Sequence, residues 1–470
     1  MDEDLFNVLD KVSEETLLKA LTLAVNPPVE TLSLDEALAK TAPTMPLQPA
    51  IEYIEVDGLR RSLGSMGLEL FLALDQVVSL LPYSLVRSLK ESGNRRGLVD
   101  VVRRWSDRIL ENLGVLSNLR PGDFRGEDEV KEEVLLALPS RAQVENVKGK
   151  QGFWLWKERA RGGVESPDFT GLTSEITAIG DTILSLGVKV SVAVDSSTYD
   201  LVKSSLYKYN VVVLDMPVDK LKLIYVRDQS VTWFSNPVIG NMALPIRRGE
   251  EEVVNEVYYK LNIEPLIRVR WARFNGVLVR AVMEGGNFFV VKGDSGDVAI
   301  LTGVGVRGSN WATFKVLGEL LPEDVRIIGV PLAGYMKYWD YGAVHLDVAF
   351  SYIGDLGGVR VALVDPSRLG FYSLLEYDRR SGSFKLIELP RLARELGITL
   401  DEPPREGASL ITMVNALNLG RGRLVVDGYN EGVNRYLEKT YGVEVFRVEI
   451  PHLEAGGGGV RCATRELWRG

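Results

Sequence analysis

The chain has 470 residues, 46% of them hydrophobic, and a formal net charge of −9 with a pI near 5.2. That composition predicts a packed globular protein with one large domain and an accessory region, or two to three ordinary domains, and it speaks against extensive disorder. The acidic balance excludes a nucleic-acid partner as the expectation, and no apolar run approaches membrane-spanning length. The N-terminal stretch MDEDLFNVLDKVSEE is acidic and helix-like, unlike a secretory signal, so a cytoplasmic location is expected.

Residues 1–145 read as mainly helical. Asp2–Leu23 has apolar residues at helical spacing, and Ser33-Leu-Asp-Glu36 forms a capping box before Ala37–Lys40. Met66–Lys90 and Gly97–Leu113 predict two longer helices, and Asp128–Leu138 a further amphipathic turn or two. Pro27-Pro28, Pro43–Pro49 and Pro121-Gly122 punctuate them. No catalytic motif lies here, and a helical cap or oligomerisation region is the simplest reading.

From residue 146 onward, short β-rich runs alternate with helices. Strands are expected at Phe153–Trp156, Lys189–Val194, Val211–Asp215, Leu223–Val226, Val231–Phe234, Val277–Met283, Phe288–Val291 and Val298–Leu301. More are expected at Val325–Val330, Val348–Ile353, Val359–Val364, Leu424–Val426 and Val443–Val448. Helices are expected at Thr173–Leu186, Glu250–Lys260, Ser309–Leu320, Leu392–Glu395 and Glu431–Tyr441. Strand, strand, helix, strand recurs, which suggests a modular α/β architecture; a mixed α/β sheet would give similar runs.

The chemistry-bearing residues are few. Cys462 is the single cysteine, so no intrachain disulfide forms, and with only His345 and His452 a zinc site built from Cys and His is ruled out by count. Cys462 follows the run Gly456–Gly459, which permits close backbone approach, and Arg461 beside it would favour the thiolate. A lone cysteine is otherwise a small buried hydrophobe. His345 and Asp347 stand two apart in Val344-His-Leu-Asp347, which on a strand places both on one face. Glu284, in Met283-Glu-Gly-Gly-Asn287, and Asp228, in Tyr225-Val-Arg-Asp-Gln229, are carboxylates at expected strand ends; each alone would read as a solvated turn acid. Together they suit one task. A guanidinium is planar, cationic and a poor electrophile. Attack on it needs carboxylates to hold the fork, a thiolate as nucleophile, and an imidazole to protonate the departing nitrogen and then activate water. No metal or cofactor is required.

These residues resemble the guanidino-group-modifying superfamily, and within it arginine deiminase most closely. The segments YVRDQ, PIRRGE, MEGGN, GVGVRGS, HLD and GGGGVRCAT carry the resemblance in the family's order, across roughly residues 222 to 466. It implies a pentein-type, five-bladed α/β propeller at 146–470, preceded by the helical region at 1–145. It also implies attack by Cys462, acid/base work by His345, a guanidinium clamp of Asp228 and Asp347, and support from Glu284. Arg247, 247 − 228 = 19 residues after Asp228, and Arg307 match the arginines that grip the α-carboxylate of free arginine. The chain departs from the family pattern in places: Asn287 stands where an acid is usual, Lys222 where an Asn is usual, and Tyr225-Val226 where a Phe-Thr is usual. The expected reaction is hydrolysis of arginine or a close derivative to citrulline and ammonia. An amidinotransferase, an arginine dihydrolase giving ornithine, and an inactive guanidino-binding protein are the competing readings. The expected partner is a small guanidino compound, with self-association left open.

Overall fold

The structure is a computed structural model. It describes residues 3–33, 50–92, 96–147, 164, 166–293, 296–305, 307–332, 345–356, 358–369, 373–409 and 411–468. Residues 34–36 of the expected capping box and the strand expected at 153–156 lie outside the described residues.

The chain is an α/β protein built on a recurring unit: an antiparallel strand pair, then a helix, then a strand parallel to the second. In one unit Phe288–Lys292 pairs antiparallel with Val298–Val304, the helix Trp311–Leu320 crosses over, and Val325–Pro331 runs parallel. Phe350–Asp355, Arg360–Val364, the helix Leu389–Glu395 and Ile398–Asp401 repeat it. So do Leu417–Asn418, Arg423–Asp427, the helix Glu431–Tyr441 and Glu444–Val448. A shorter version joins Ser230–Val231 to Val238–Ile239, passes through the helix Glu250–Lys260, and returns in a parallel bridge between Ile239 and Arg268. The remaining unit is made from both ends of the sequence: Arg465–Leu467 is antiparallel to Glu133–Ala137, which is parallel to Lys189–Asp195 across the helix Phe169–Ser185. Val, Ile and Leu dominate the parallel strands because helices cover one face and neighbouring units the other. Among the described residues these sheets are separate, and no strand pairing closes them into a ring.

Several expectations change. Asp128–Leu138 is not helical: Glu133–Ala137 is a strand, buried along its whole length. A continuous apolar run fits a strand covered on both faces as well as a helix, and periodicity cannot separate the two. Leu223–Val226 is not a strand; Leu221–Ile224 is a 3-10 turn. Met66–Lys90 is two helices, Gly67–Leu80 and Tyr83–Ser92, broken where Pro82 cannot continue the first.

The N-terminal region shares a sheet with residues 271–280. Glu30–Ser33 and Ala50–Glu55 add to the hairpin Trp271–Phe274 and Val277–Arg280. Leu17, Leu74 and Val102 share an apolar core with Val253, Tyr258 and Val279. Glu52 meets Arg248 at 2.7 Å and Arg280 at 2.9 Å, bracing the turn next to Arg247. The strand Glu133–Ala137 lies ahead of the boundary expected at 145/146 yet belongs to a repeating unit. Among the described residues no single helix is long and apolar enough to cross a membrane.

Candidate active site

Every unit contributes a polar side chain from the same place, just before its first strand. Asp228 precedes Ser230–Val231, Glu284 precedes Phe288–Lys292, and His345 and Asp347 precede Phe350–Asp355. Asn415 precedes Leu417–Asn418 and Cys462 precedes Arg465–Leu467. These equivalent positions form one linked, buried cluster.

His345 stands between two carboxylates, its Nε2 at 2.5 Å from Glu284 Oε2 and its Nδ1 at 3.3 Å from Asp228 Oδ1. The Nε2 contact is a hydrogen bond, whereas Asp228 Oδ1, though close to Nδ1, has no hydrogen-bond partner among the described residues. Gly286 makes the approach possible, because a Cβ there would lie 2.7 Å from His345 Nδ1 and 2.8 Å from Asp228 Oδ1. Asn287, the residue that departs from the family pattern, accepts from Leu346 N–H at 3.1 Å and donates to the Arg307 carbonyl at 3.1 Å. It thereby ties the histidine turn to the arginine loop, which an acid lacking N–H groups could not do from both ends.

His345 and Asp347 do not share a strand face. They lie in a 3-10 turn, Leu346–Val348 with His345 as its cap, and reach different partners. Asp347 Oδ2 accepts from Arg461 Nη1 at 3.2 Å and lies 3.6 Å from Cys462 Sγ. Asn415, which no sequence motif marks, donates to Cys462 Sγ at 3.2 Å and to the Asp347 carbonyl at 3.1 Å, while its Oδ1 accepts from Arg461 N–H at 3.0 Å. A neutral amide among apolar neighbours gives no local signal; its register in the repeating unit would have found it. The glycine run behaves as expected at Gly458, where a Cβ would press into the Tyr225 ring, and at Gly459, where it would lie 2.5 Å from Asn415 Oδ1.

Arg461 does not favour the thiolate as expected. Its guanidinium turns to Asp347 and to Glu127 at 2.8 Å, and stacks 4.0 Å over the Phe289 ring. Burial, with Asp347 and Asp228 adding negative charge, pushes the Cys462 thiol well above its ordinary value. Glu284 behaves oppositely. Burial opposes its charge, but Arg307 and His345 hold the carboxyl well below its usual range. At Asp228 burial is likewise outweighed, by His345 and Arg247.

Arg247 and Arg307 join the cluster, but their guanidiniums meet protein carboxylates. Arg247 Nη1 is 2.5 Å from Asp228 Oδ2, and its Nε and Nη2 reach Glu250 Oε2 at 2.9 and 2.7 Å. Arg307 Nη2 lies 2.6 Å from Glu284 Oε2 and 3.8 Å from Asp228 Oδ2. Asp228, Glu284 and His345 offer ligand atoms within 4.8 Å of one another, a spacing a divalent cation accepts. Both carboxylates of the trio are already engaged by a guanidinium, Glu284 by Arg307 and Asp228 by Arg247, which it shares with Glu250.

A buried thiol beside one acid, and an imidazole gripped by two others, are equipment for covalent chemistry on a small cationic group. No family model matches the chain. A curated relative, the uncharacterized protein YkgA of Bacillus subtilis strain 168, is 23% identical over 269 residues, 57% of this chain and 77% of the relative. Among solved structures, the chain is similar to DDAH from Pseudomonas aeruginosa complexed with citrulline, at 13% identity over 72% of this chain and 100% of that one, with a TM-score of 0.45. It is also similar to the N-terminal domain of ArgZ, an arginine dihydrolase from the ornithine-ammonia cycle in cyanobacteria: 12% identity, 72% and 98% covered, TM-score 0.47. A third, SxtG, is an amidinotransferase from Microseira wollei in the saxitoxin biosynthetic pathway: 14% identity, 74% and 98% covered, TM-score 0.43. These neighbours are members of the guanidino-modifying pentein superfamily, the group that the sequence motifs resemble.

Proposed function

We propose that the chain is a pentein-type enzyme that hydrolyses the guanidino group of arginine, or of a close derivative, to the ureido product and ammonia through a covalent Cys462 intermediate. The observation that carries this reading is the convergence of the equivalent unit positions on one buried centre, with the thiol between Asp347 and Asn415 and the imidazole between Asp228 and Glu284. Converging units of this kind are also the best support for a propeller arrangement.

A planar cation entering between Asp347 and Asp228 supplies the positive charge that the thiol lacks, and so favours its ionisation. The thiolate forms a bond to the guanidinium carbon. Protonated His345 gives its proton to the departing nitrogen, the carbon–nitrogen bond breaks, and ammonia leaves a thiouronium on sulfur. Neutral His345 then takes a proton from water, the oxygen bonds to carbon, and collapse expels the thiolate and releases the ureido product.

The test is incubation of purified protein with arginine, agmatine and an acylated arginine, reading ammonia and amino-acid products. Ammonia and a ureido product, abolished by Cys462→Ala, are expected. Ornithine without citrulline would replace the reading with a dihydrolase. Turnover only on adding an acceptor amine would replace it with an amidinotransferase. Turnover that survives Cys462→Ala would overturn the thiol mechanism.

A further inference from the structure

A cavity of about 570 Å³ lies apart from the thiol and imidazole, where the N-terminal region meets the repeating units. That volume suits a small metabolite. One wall is the helix Tyr83–Ser92, through Tyr83 and Arg87. Another is the far end of the helix Glu250–Lys260, through Glu256 and Lys260. The rest comes from a strand added to the unit that holds Cys462. There Lys189–Asp195 is followed by the helix Ser196–Leu206 and by Asn210–Leu214, which runs parallel to it. Both strands end at the cavity, where Ser196 Oγ donates to Asp215 Oδ1 at 2.5 Å. The carboxyl ends of neighbouring parallel strands are where ligands of α/β sheets commonly bind.

The lining carries both signs of charge. Arg87 and Lys260 are exposed cations, and Asp215 is an exposed acid. Glu256 is buried and already engaged: its Oε2 accepts from Ser84 N–H at 2.7 Å, and its Oε1 lies 3.9 Å from Lys260 Nζ. Val213 and Leu214 add an aliphatic stretch. A molecule with an anionic end, a cationic end and a short apolar body matches such a lining. An anion alone would meet Asp215, and a cation alone would meet the two basic groups. The helix Glu250–Lys260 links this cavity to the centre. Glu250, 256 − 250 = 6 residues before Glu256 and roughly 9 Å along the axis, holds Arg247 and Gln229, and Arg247 holds Asp228. At the cavity end Asn255 donates to the carbonyls of Leu80 and Leu81 at 2.6 and 2.9 Å. The N-terminal region is thus fastened to the helix that seats Arg247.

We propose that this cavity is an effector site for an α-amino acid with an uncharged aliphatic side chain. Arg87 and Lys260 hold its carboxylate, Asp215 holds its ammonium, and Val213 and Leu214 meet its side chain. Guanidinium and ammonium groups each carry several donors, so both can keep a protein partner while gripping a carboxylate. The occupied site ties Tyr83–Ser92 to Glu250–Lys260, so the seat of Arg247 is ordered before a guanidino compound arrives. That compound then pays less ordering cost on binding, and the two ligands favour each other to the same extent. The effector needs no guanidino group, which separates what this site recognises from what the centre recognises.

The test is calorimetry on the full chain carrying Cys462→Ser, so that binding is read without turnover. L-Leucine is the probe, with 4-methylpentanoate and isoamylamine as analogues that keep only its anionic or only its cationic end. Leucine should bind saturably at one site per chain. Arg87→Met and Asp215→Asn, both at exposed positions, should each weaken it about 10-fold or more, the scale of a charge-assisted hydrogen bond. Each single-ended analogue should bind more weakly by a similar factor. With leucine saturating, arginine should bind about 5-fold tighter or more. Arg87→Met should erase that gain while leaving the affinity for arginine alone unchanged. Absence of leucine binding overturns the proposal. So does binding that both substitutions leave untouched, or that arginine displaces, which would put leucine in the centre. Leucine that binds yet leaves the affinity for arginine equal or lower overturns the effector role. Should arginine not bind at all, the guanidino reading fails by itself, and the dependence of leucine binding on Arg87 and Asp215 still decides for or against the site.

Discussion

Around His345 each acid meets a guanidinium: Glu284 pairs with Arg307, Asp228 and Glu250 share Arg247, and the imidazole stands between Glu284 and Asp228. Around Cys462 the pairing is incomplete. Burial and the nearby acids hold the thiol protonated, and Asp347 beside it shares Arg461 with Glu127; among the described residues its Oδ1, like Asp228 Oδ1, has no hydrogen-bond partner. On one side an imidazole that can take up a proton stands between two of the acids, whereas on the other a neutral thiol faces Asp347. The contrast teaches that the thiol is kept protonated by the same acids that would welcome a cation.

The largest test of this contrast is Cys462→Ala, which should lower turnover about 10,000-fold or more if the thiol acts as nucleophile. Asp347→Asn comes next. It should cost roughly 100- to 1,000-fold in kcat/KM, since a desolvated charge is lost opposite the substrate. It should also do something a general defect would not: speed alkylation of Cys462 in the free protein at pH 8, because a negative charge that holds the thiol protonated is gone. An alkylation rate unmoved by the substitution would erase the contrast. In the unaltered protein that rate should climb with pH up to and beyond 9, since burial, Asp347 and Asp228 raise the thiol; a plateau reached below pH 8 contradicts it. Asn287→Ala, on the quiet side, should cost about 10-fold by loosening the turn that carries His345, with little effect on alkylation. Smallest in turnover is Leu74→Ala. It empties a fully buried position in the N-terminal core and should lower stability by about 2–5 kcal/mol in denaturant melts, leaving kcat within about twofold.

How much of this the sequence held depends on what kind of signal each part leaves. Glu250–Lys260 and Glu431–Tyr441 were readable to the residue, because acidic first turns and apolar periodicity agree there. Glu133–Ala137 was not, since a short apolar run has no period to read. The centre was legible where residue types are scarce or flanked by glycine, as with Cys462, His345 and Glu284. It was illegible where a side chain acts by position alone: Asn415 has neither charge nor glycine beside it, and Asn287 looked like a lost charge when it is a two-ended tether. Arg247 and Arg307 lie in the cluster, but with protein carboxylates as partners, which residue identity could not foretell.

The pairing of Arg465 with Leu135 joins positions 465 − 135 = 330 residues apart, and Cys462 sits just ahead of that junction. Such a contact is among the most non-local the chain makes, so it is entropically the hardest to reach and should form late during refolding. The remaining helices and hairpins can assemble while the sulfur is still unplaced. Recovery of far-UV ellipticity should therefore run ahead of recovered turnover in a dilution experiment, and simultaneous recovery would show that closure comes early.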